Sequence, residues 1–471
     1  MRFFIPRAIY HLFLWISPLV LTGQSSTEVM IKDITIKGNQ KTKAGIIFRE
    51  CTFRIGDTIR IEDLDNAINQ SRLNIINSGL FNDVQINVGH WDFDNQTINI
   101  TIEVKETWYL FPVPIFELAD RNFNVWWTDQ NRSLKRVNLG LRVKYTNPTG
   151  NADKLQLVAQ TGYTQKYQFE YHFPYINRAQ TLGLSSSLYY ATNKEVNYRT
   201  IKNRQVFYVG DDPVLSRART SMGLQYRPNI FAIHRLHLEY HQNTIDSLIA
   251  NELNPNFFNP GAKALKYTQL QYSFMYDERD AKAYPLKGFS FFLDVKKQGL
   301  IKQDDLNHWQ LRSEVDAYIP FTPKHSLGVY IIGQTIQPQK QYPYHMAKAL
   351  GYGENYLKGY EYYVIDGLSM LVFKSKFKYN FFNRTIFPGG WLKINKLKSG
   401  TPIRSYLTGA LEWGYVHDPL YYQDNPFANR PLNSLSLGLD VLFYYNFIYT
   451  MELSMNHLKE IGLFLHYNIR F

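Results

Sequence analysis

From residue 107 to the end of the chain at residue 471, apolar and polar residues alternate with a period of two. Side chains in a strand point alternately to the two faces of its sheet, so this region folds as strands with one apolar and one polar face. Leu236, Leu238 and Tyr240 interleave with His237, Glu239 and His241. Thr268, Leu270, Tyr272, Phe274 and Tyr276 alternate with Gln269, Gln271, Ser273, Met275 and Asp277, and Leu435, Leu437, Leu439 and Val441 lie opposite Ser436, Gly438 and Asp440. A hydrophobic fraction of 45% with 16% aromatic residues excludes intrinsic disorder. A mean hydropathy of −0.33 excludes a bundle of membrane helices. A soluble β-sandwich or a membrane β-barrel remains, because both alternate in this way. The formal charge of +12 fits nucleic acid, anionic lipid or a polar lumen and does not choose among them.

The first residues select an exported chain. Arg2 and Arg7 precede an apolar run at 12–21 that contains Ser17 and Pro18, and a polar stretch follows it. This predicts a cleavable export signal over 1–23, cut near Gln24. The single cysteine, Cys51, has no partner for an internal disulfide. Aromatic pairs gather at strand ends, at Tyr189-Tyr190, Tyr362-Tyr363, Tyr421-Tyr422 and Tyr444-Tyr445. In the last strand Leu463, Leu465, Tyr467, Ile469 and Phe471 share one face, and an alternating strand that closes on an aromatic residue is the insertion signal of outer-membrane barrels. A transmembrane barrel over 107–471 is therefore expected. About seventeen strand candidates occur, one of which, near 204–209, reads as part of a loop; parity then gives sixteen antiparallel strands.

Residues 30–106 differ. Ile34 and Ile36 alternate ahead of Gly38-Asn39, residues 42–51 suggest a short helix, and Gly56-Asp57 a turn. Leu64, Ala67, Ile68, Ser71, Ile75 and Ile76 are spaced for one face of a second helix, with Glu62, Asp63 and Asp65 in its first turn. Gly79 caps that helix, and alternating strands follow at 84–88 and 98–104. The order is β-α-α-β-β. Together with Gly79, Leu80, Phe81 and Val84, the last three plugging the core at the start of a strand, it resembles a POTRA domain, the periplasmic module of outer-membrane assembly factors.

Two motifs in the alternating region extend the likeness. The first runs Asp277-Glu278-Arg279-Asp280, then Pro285 and Gly288. The second runs from Gly351 through Glu354 to Lys358-Gly359-Tyr360. Their order and spacing are similar to those of the BamA/TamA outer-membrane assembly family. The resemblance implies that the first marks a strand, turn and strand, and that Lys358-Gly359-Tyr360 is the tip of a long loop folded back into the barrel. The family usually has Arg where this chain has Lys358, and a lysine cannot form the two-pronged pair that arginine makes with a carboxylate. The implied partner on the inner wall is Glu412, which faces inward by parity with Leu411 and Trp413. A second inner-wall acid of the family is expected to be missing, since Lys374, Lys376 and Lys378 hold the matching inward positions. Pro112 and Pro114 fall either in a first barrel strand over 108–118 or in the linker ahead of it. In the strand they would leave its pairing with the terminal strand, at Phe471, short of donors.

The resemblance implies a factor in the outer membrane that captures unfolded outer-membrane proteins by strand addition to a periplasmic POTRA-like domain and inserts them at a weak seam. Membrane lipids and periplasmic or lipoprotein accessory subunits are the further partners it implies. A passive pore or secretion channel, or a non-catalytic accessory subunit, is the alternative. Enzyme signatures such as Gly-x-Ser-x-Gly, a P-loop or His-Glu-x-x-His are missing, so no enzyme, cofactor or metal is expected. His237, Glu239 and His241 read as an inward polar stripe. Nucleic-acid binding has only net charge behind it and is not expected.

Overall fold

The structure, a computed structural model, describes residues 28–120, 123–177, 179–353, 355–386, 401–443 and 447–469. The export signal, Tyr444-Tyr445, Glu354 and Phe471 lie outside them.

The N-terminal domain is a four-stranded sheet with two helices. Strand Glu28–Lys37 leads into helix Ala44–Glu50, strand Thr58–Arg60, helix Ile61–Asn77 and strands Phe81–Asp92 and Thr97–Glu106. Thr58–Arg60 is an addition to the order expected from the sequence, and at three residues it is too short to show a period. It pairs on one side of Glu28–Lys37, whose other side runs parallel to Thr97–Glu106. Phe81–Asp92 forms the opposite edge. The core lies between sheet and helices, where Ile98, Ile100 and Ile102 meet Leu64 and Ile75. Gly79 ends the second helix at φ +75°, a left-handed conformation that a Cβ would strain. The chain then enters the core at Leu80, Phe81 and Val84, all buried. Each of the two larger side chains contributes about 1.5–3 kcal/mol by leaving water.

Sixteen antiparallel strands follow, from Leu110–Leu118 to Ile461–Ile469, each paired with its neighbour in chain order apart from two insertions. A hairpin of Glu195–Ile201 with Arg204–Val209 stands outside the barrel sheet; the sequence pattern places only its second strand, near 204–209, in a loop. A long loop carrying the short ladder of Lys348–Leu350 with Ile365–Asp366 separates the eleventh strand, His325–Gln337, from the twelfth, Ser369–Ile386. On the outer face Leu238, Leu411, Leu437 and Leu465 are 54%, 60%, 66% and 67% exposed, whereas the inward-facing Glu412, Asp440 and Glu452 are buried. An apolar skin around a polar interior is stable only in lipid.

The N-terminal domain docks on the end of the barrel where the first strand begins, the near end. Arg227, in the turn after strand Leu215–Tyr226, donates to both carboxylate oxygens of Glu50 at 2.8 and 3.2 Å, and Asn147 donates to Thr42 at 2.9 Å. At the far end the hairpin and loops pack into a cap around Ile249, Phe257, Phe258 and Tyr344. Asn203 binds across it to the carbonyl of Val364 at 3.1 Å and to the N–H of Phe427 at 3.0 Å.

Candidate functional site

Both prolines lie in the first strand, Leu110–Leu118. The N–H of Ala119 bonds to the carbonyl of Arg136, and the N–H of Thr146 to that of Tyr109, both at 2.8 Å. Odd-numbered residues therefore turn their backbone groups to the second strand, Val137–Thr146, and even-numbered residues turn theirs to the free edge. Pro112 and Pro114 are even. The edge meant for the terminal strand thus lacks two of its donors. In that terminal strand, Ile461–Ile469, the exposed side chains of Ile461, Leu463 and Leu465 face outward. Among the described residues no ladder joins the first strand to the sixteenth. Asn124, in the helix Phe123–Thr128 beyond the first strand, instead donates its amide to the carbonyl of Leu463 at 3.1 Å near the far end.

The loop tip reaches the wall beside this seam. Gly359 has φ +77° and passes so near the fifteenth strand, Phe447–Asn456, that a Cβ would lie 3.1 Å from the nitrogen of Asn456. Asn456 donates its side-chain amide to the Gly359 carbonyl at 2.9 Å. The Tyr360 hydroxyl donates to the carbonyl of Asn433 at 3.1 Å and meets the imidazole of His457. Tyr363 bonds to Glu460 at 2.8 Å, and the ring of Tyr356 stacks on His466 of the last strand at 5.5 Å. The loop therefore clasps the final hairpin.

The charge pairing differs from the expectation. The Lys358 ammonium lies 2.6 Å from Glu452, while Glu412 accepts the backbone N–H of Lys358 at 2.9 Å. Glu412 stands opposite Lys374 in the ladder and has that ammonium at 3.9 Å, so a cation already faces it. Lys374, Lys376 and Lys378 do hold their positions on the twelfth strand, and a further inner-wall acid beyond those expected from the sequence, Glu452, lies two strands beyond Glu412. Its signal is in the sequence: Tyr449, Met451, Leu453 and Met455 face outward, which turns Glu452 into the lumen. Ligand atoms of Glu361, Glu452 and His466 lie within 4.8 Å of one another, and the Lys358 ammonium supplies the positive charge there.

The other motif builds the turn between the eighth strand, Ala264–Asp277, and the ninth, Gly288–Gln298. Arg279 grips both oxygens of Asp277 at 2.8 Å and approaches Asp316 at 3.4 Å. Asp280 accepts the N–H groups of Leu286 and Lys287 at 3.0 and 3.2 Å, and Pro285 offers its carbonyl to Lys378 at 2.8 Å. Gly288, at φ +98°, has no room for a Cβ, which would lie 2.3 Å from the Glu278 carbonyl. In the polar stripe His241 pairs with Glu239 at 2.8 Å and stacks on Tyr267.

The POTRA family, described as a surface antigen variable number repeat, matches residues 29–107, and the Omp85 superfamily domain matches residues 95–375, more than half of the chain. The chain belongs to the Omp85 superfamily. Among solved structures, BamA from Haemophilus ducreyi lacking POTRA domains 1–3 shares the fold at a TM-score of 0.53 and 13% identity, over 93% of this chain and 84% of that one. CdiB from Acinetobacter baumannii does so at a TM-score of 0.52 and 11% identity, over 94% and 74%. No curated protein sequence matches the chain. As an Omp85 protein it is an outer-membrane protein of the insertion and translocation class.

Proposed function

We propose that this Omp85 protein inserts unfolded outer-membrane proteins through the edge between its first and sixteenth strands, with its POTRA domain in the periplasm. The observation that carries this reading is the missing pair of donors at Pro112 and Pro114 on an edge that has no ladder partner among the described residues. A client strand entering there finds free backbone groups on the sixteenth strand, so its own polar groups need not meet lipid unpaired. The POTRA edge strand Phe81–Asp92, paired on one side among the described residues, supports capture by main-chain pairing, which is indifferent to client sequence. The work requires no cofactor and no bond chemistry. A passive pore fits less well with the buried aromatic side chains that pack into the cap at the far end.

The test is a small outer-membrane barrel supplied unfolded in urea to liposomes that hold this protein. Faster folding than in empty liposomes is expected, with part of the gain lost in Lys358→Ala and Glu452→Ala variants whose barrels remain folded. Steady conductance in planar bilayers with no gain in folding rate would instead make it a channel.

A further inference from the structure

The turn between the eighth and ninth strands does more than connect them. Tyr284 leaves the near rim and enters the lumen, where its ring meets Tyr406 at 4.8 Å and packs against Leu442 and Ile448. Its hydroxyl donates to Asp440 at 2.7 Å. Asp440 belongs to the fourteenth strand, Pro431–Leu442, five strands round the wall from the ninth, so the contact crosses the barrel interior. Its carboxylate is fully buried and also takes the Lys376 ammonium at 2.6 Å and the Thr450 hydroxyl at 2.8 Å. Lys378 covers the other face of the insertion: its ammonium sits 4.1 Å from the centre of the Tyr284 ring and donates to the Pro285 carbonyl. Ser326 holds the neighbouring carbonyl of Leu286 at 2.9 Å.

A connection that only had to join two strands needs neither a buried aromatic ring nor a buried carboxylate on a strand five places round the wall. We propose that residues 278–287 form a plug, with Tyr284 as its latch on Asp440, that closes the near mouth of the lumen and must swing out before anything enters from that side. The rigid base made by Arg279 with Asp277, and by Asp280 with Leu286 and Lys287, lets the segment move as one piece. The plug is independent of the seam: it governs access to the lumen, whichever route a client takes.

Thr408 is buried and stands opposite Lys378 in the ladder, one inward step beyond Tyr406, so a cysteine there reports on entry past the plug. Thr408→Cys would be placed in a Cys51→Ser background and the full chain, in nanodiscs, labelled with a membrane-impermeant maleimide. Adding Tyr284→Ala, which removes the ring as well as the hydroxyl, should raise the labelling rate well over tenfold, since loss of a hydrogen bond to a charged acceptor alone produces about a tenfold change in opening. Tyr284→Phe, which keeps the ring, and Asp440→Asn should give smaller increases. Ser434→Cys, at the level of the loop clasp, should keep its rate. Equal rates at residue 408 with and without Tyr284→Ala, in barrels that keep their folded mobility on unheated gels, would overturn the plug. So would a matching rise at residue 434, since the turn would then be general packing. Should Tyr284→Ala fail to fold, Tyr284→Phe decides alone: a rate equal to the parent overturns the proposal.

Discussion

Lys358 has one ammonium and two nearby acids, and the structure divides them between its side chain and its backbone. Removing a partner from a buried ion pair costs about 3–5 kcal/mol, because the remaining charge stays out of water. Glu452→Gln should therefore free the loop tip more than Glu412→Gln, which leaves an acceptor for the backbone N–H. Protease sensitivity of the loop over 351–363 in the intact membrane protein measures this, and equal sensitivity in the two variants would refute the division. The sequence revealed Glu412 because resemblance pointed at it. It did not reveal the priority of Glu452, because which acid an ammonium reaches depends on where Gly359 brings the loop against Asn456, a contact between residues 97 positions apart. Cys51 allows a second prediction. Burial and the adjacent Glu50 charge push its thiol up to about 12, so the reactive thiolate is scarce at neutral pH. A maleimide at pH 7 should label the native protein far more slowly than the urea-unfolded one; comparable rates would contradict the packing around it.

Among the elements, the first strand departs furthest from a stable barrel. Replacing Pro112 and Pro114 with valine restores two donors on the free edge, each worth about 0.5–1.5 kcal/mol once a partner accepts them. The double variant should need a higher temperature to lose its folded mobility on gels and should assist client folding less. Higher stability with unchanged folding assistance would separate the seam from the activity. Strand existence was legible because period-two alternation depends only on the pleat, and the segment 204–209 was legible as lying outside the barrel because it exceeds an even count; its partner Glu195–Ile201 was not. Whether the prolines lay in a strand or a linker was not legible, since proline at a strand edge and proline in a linker look alike in sequence. The backbone direction of even-numbered residues decides it. The strand Thr58–Arg60 went unseen for a related reason: three residues pair through their backbone with Glu28–Lys37 and carry no pattern of their own.

For the whole molecule, the N-terminal domain and the barrel share a joint with two parts. In one, Glu106 accepts the N–H groups of Lys41 and Thr42 at 3.1 and 2.6 Å while Thr42 meets the hydroxyl of Tyr109 at 2.8 Å, which fixes the chain where it passes from domain to barrel. In the other, Arg227 holds Glu50 and also donates to the hydroxyl of Tyr175 at 3.2 Å, far from the covalent link. A domain fixed only at its link could swing about it; the second contact prevents that and sets where the free edge Phe81–Asp92 stands relative to the barrel mouth. The side chains of Arg227 and Glu50 are 14% and 8% exposed, so salt screens this pair weakly compared with a surface pair. Arg227→Ala should leave barrel stability unchanged but speed hydrogen exchange in helix Ala44–Glu50, and the exchange in the parent protein should change little between low and moderate salt. The charge-swapped pair Glu50→Arg with Arg227→Glu should restore part of the protection. Exchange that is insensitive to Arg227→Ala would mean that the link at Glu106 alone orients the domain, and the free edge would then owe its position to the chain passage and not to the docking face.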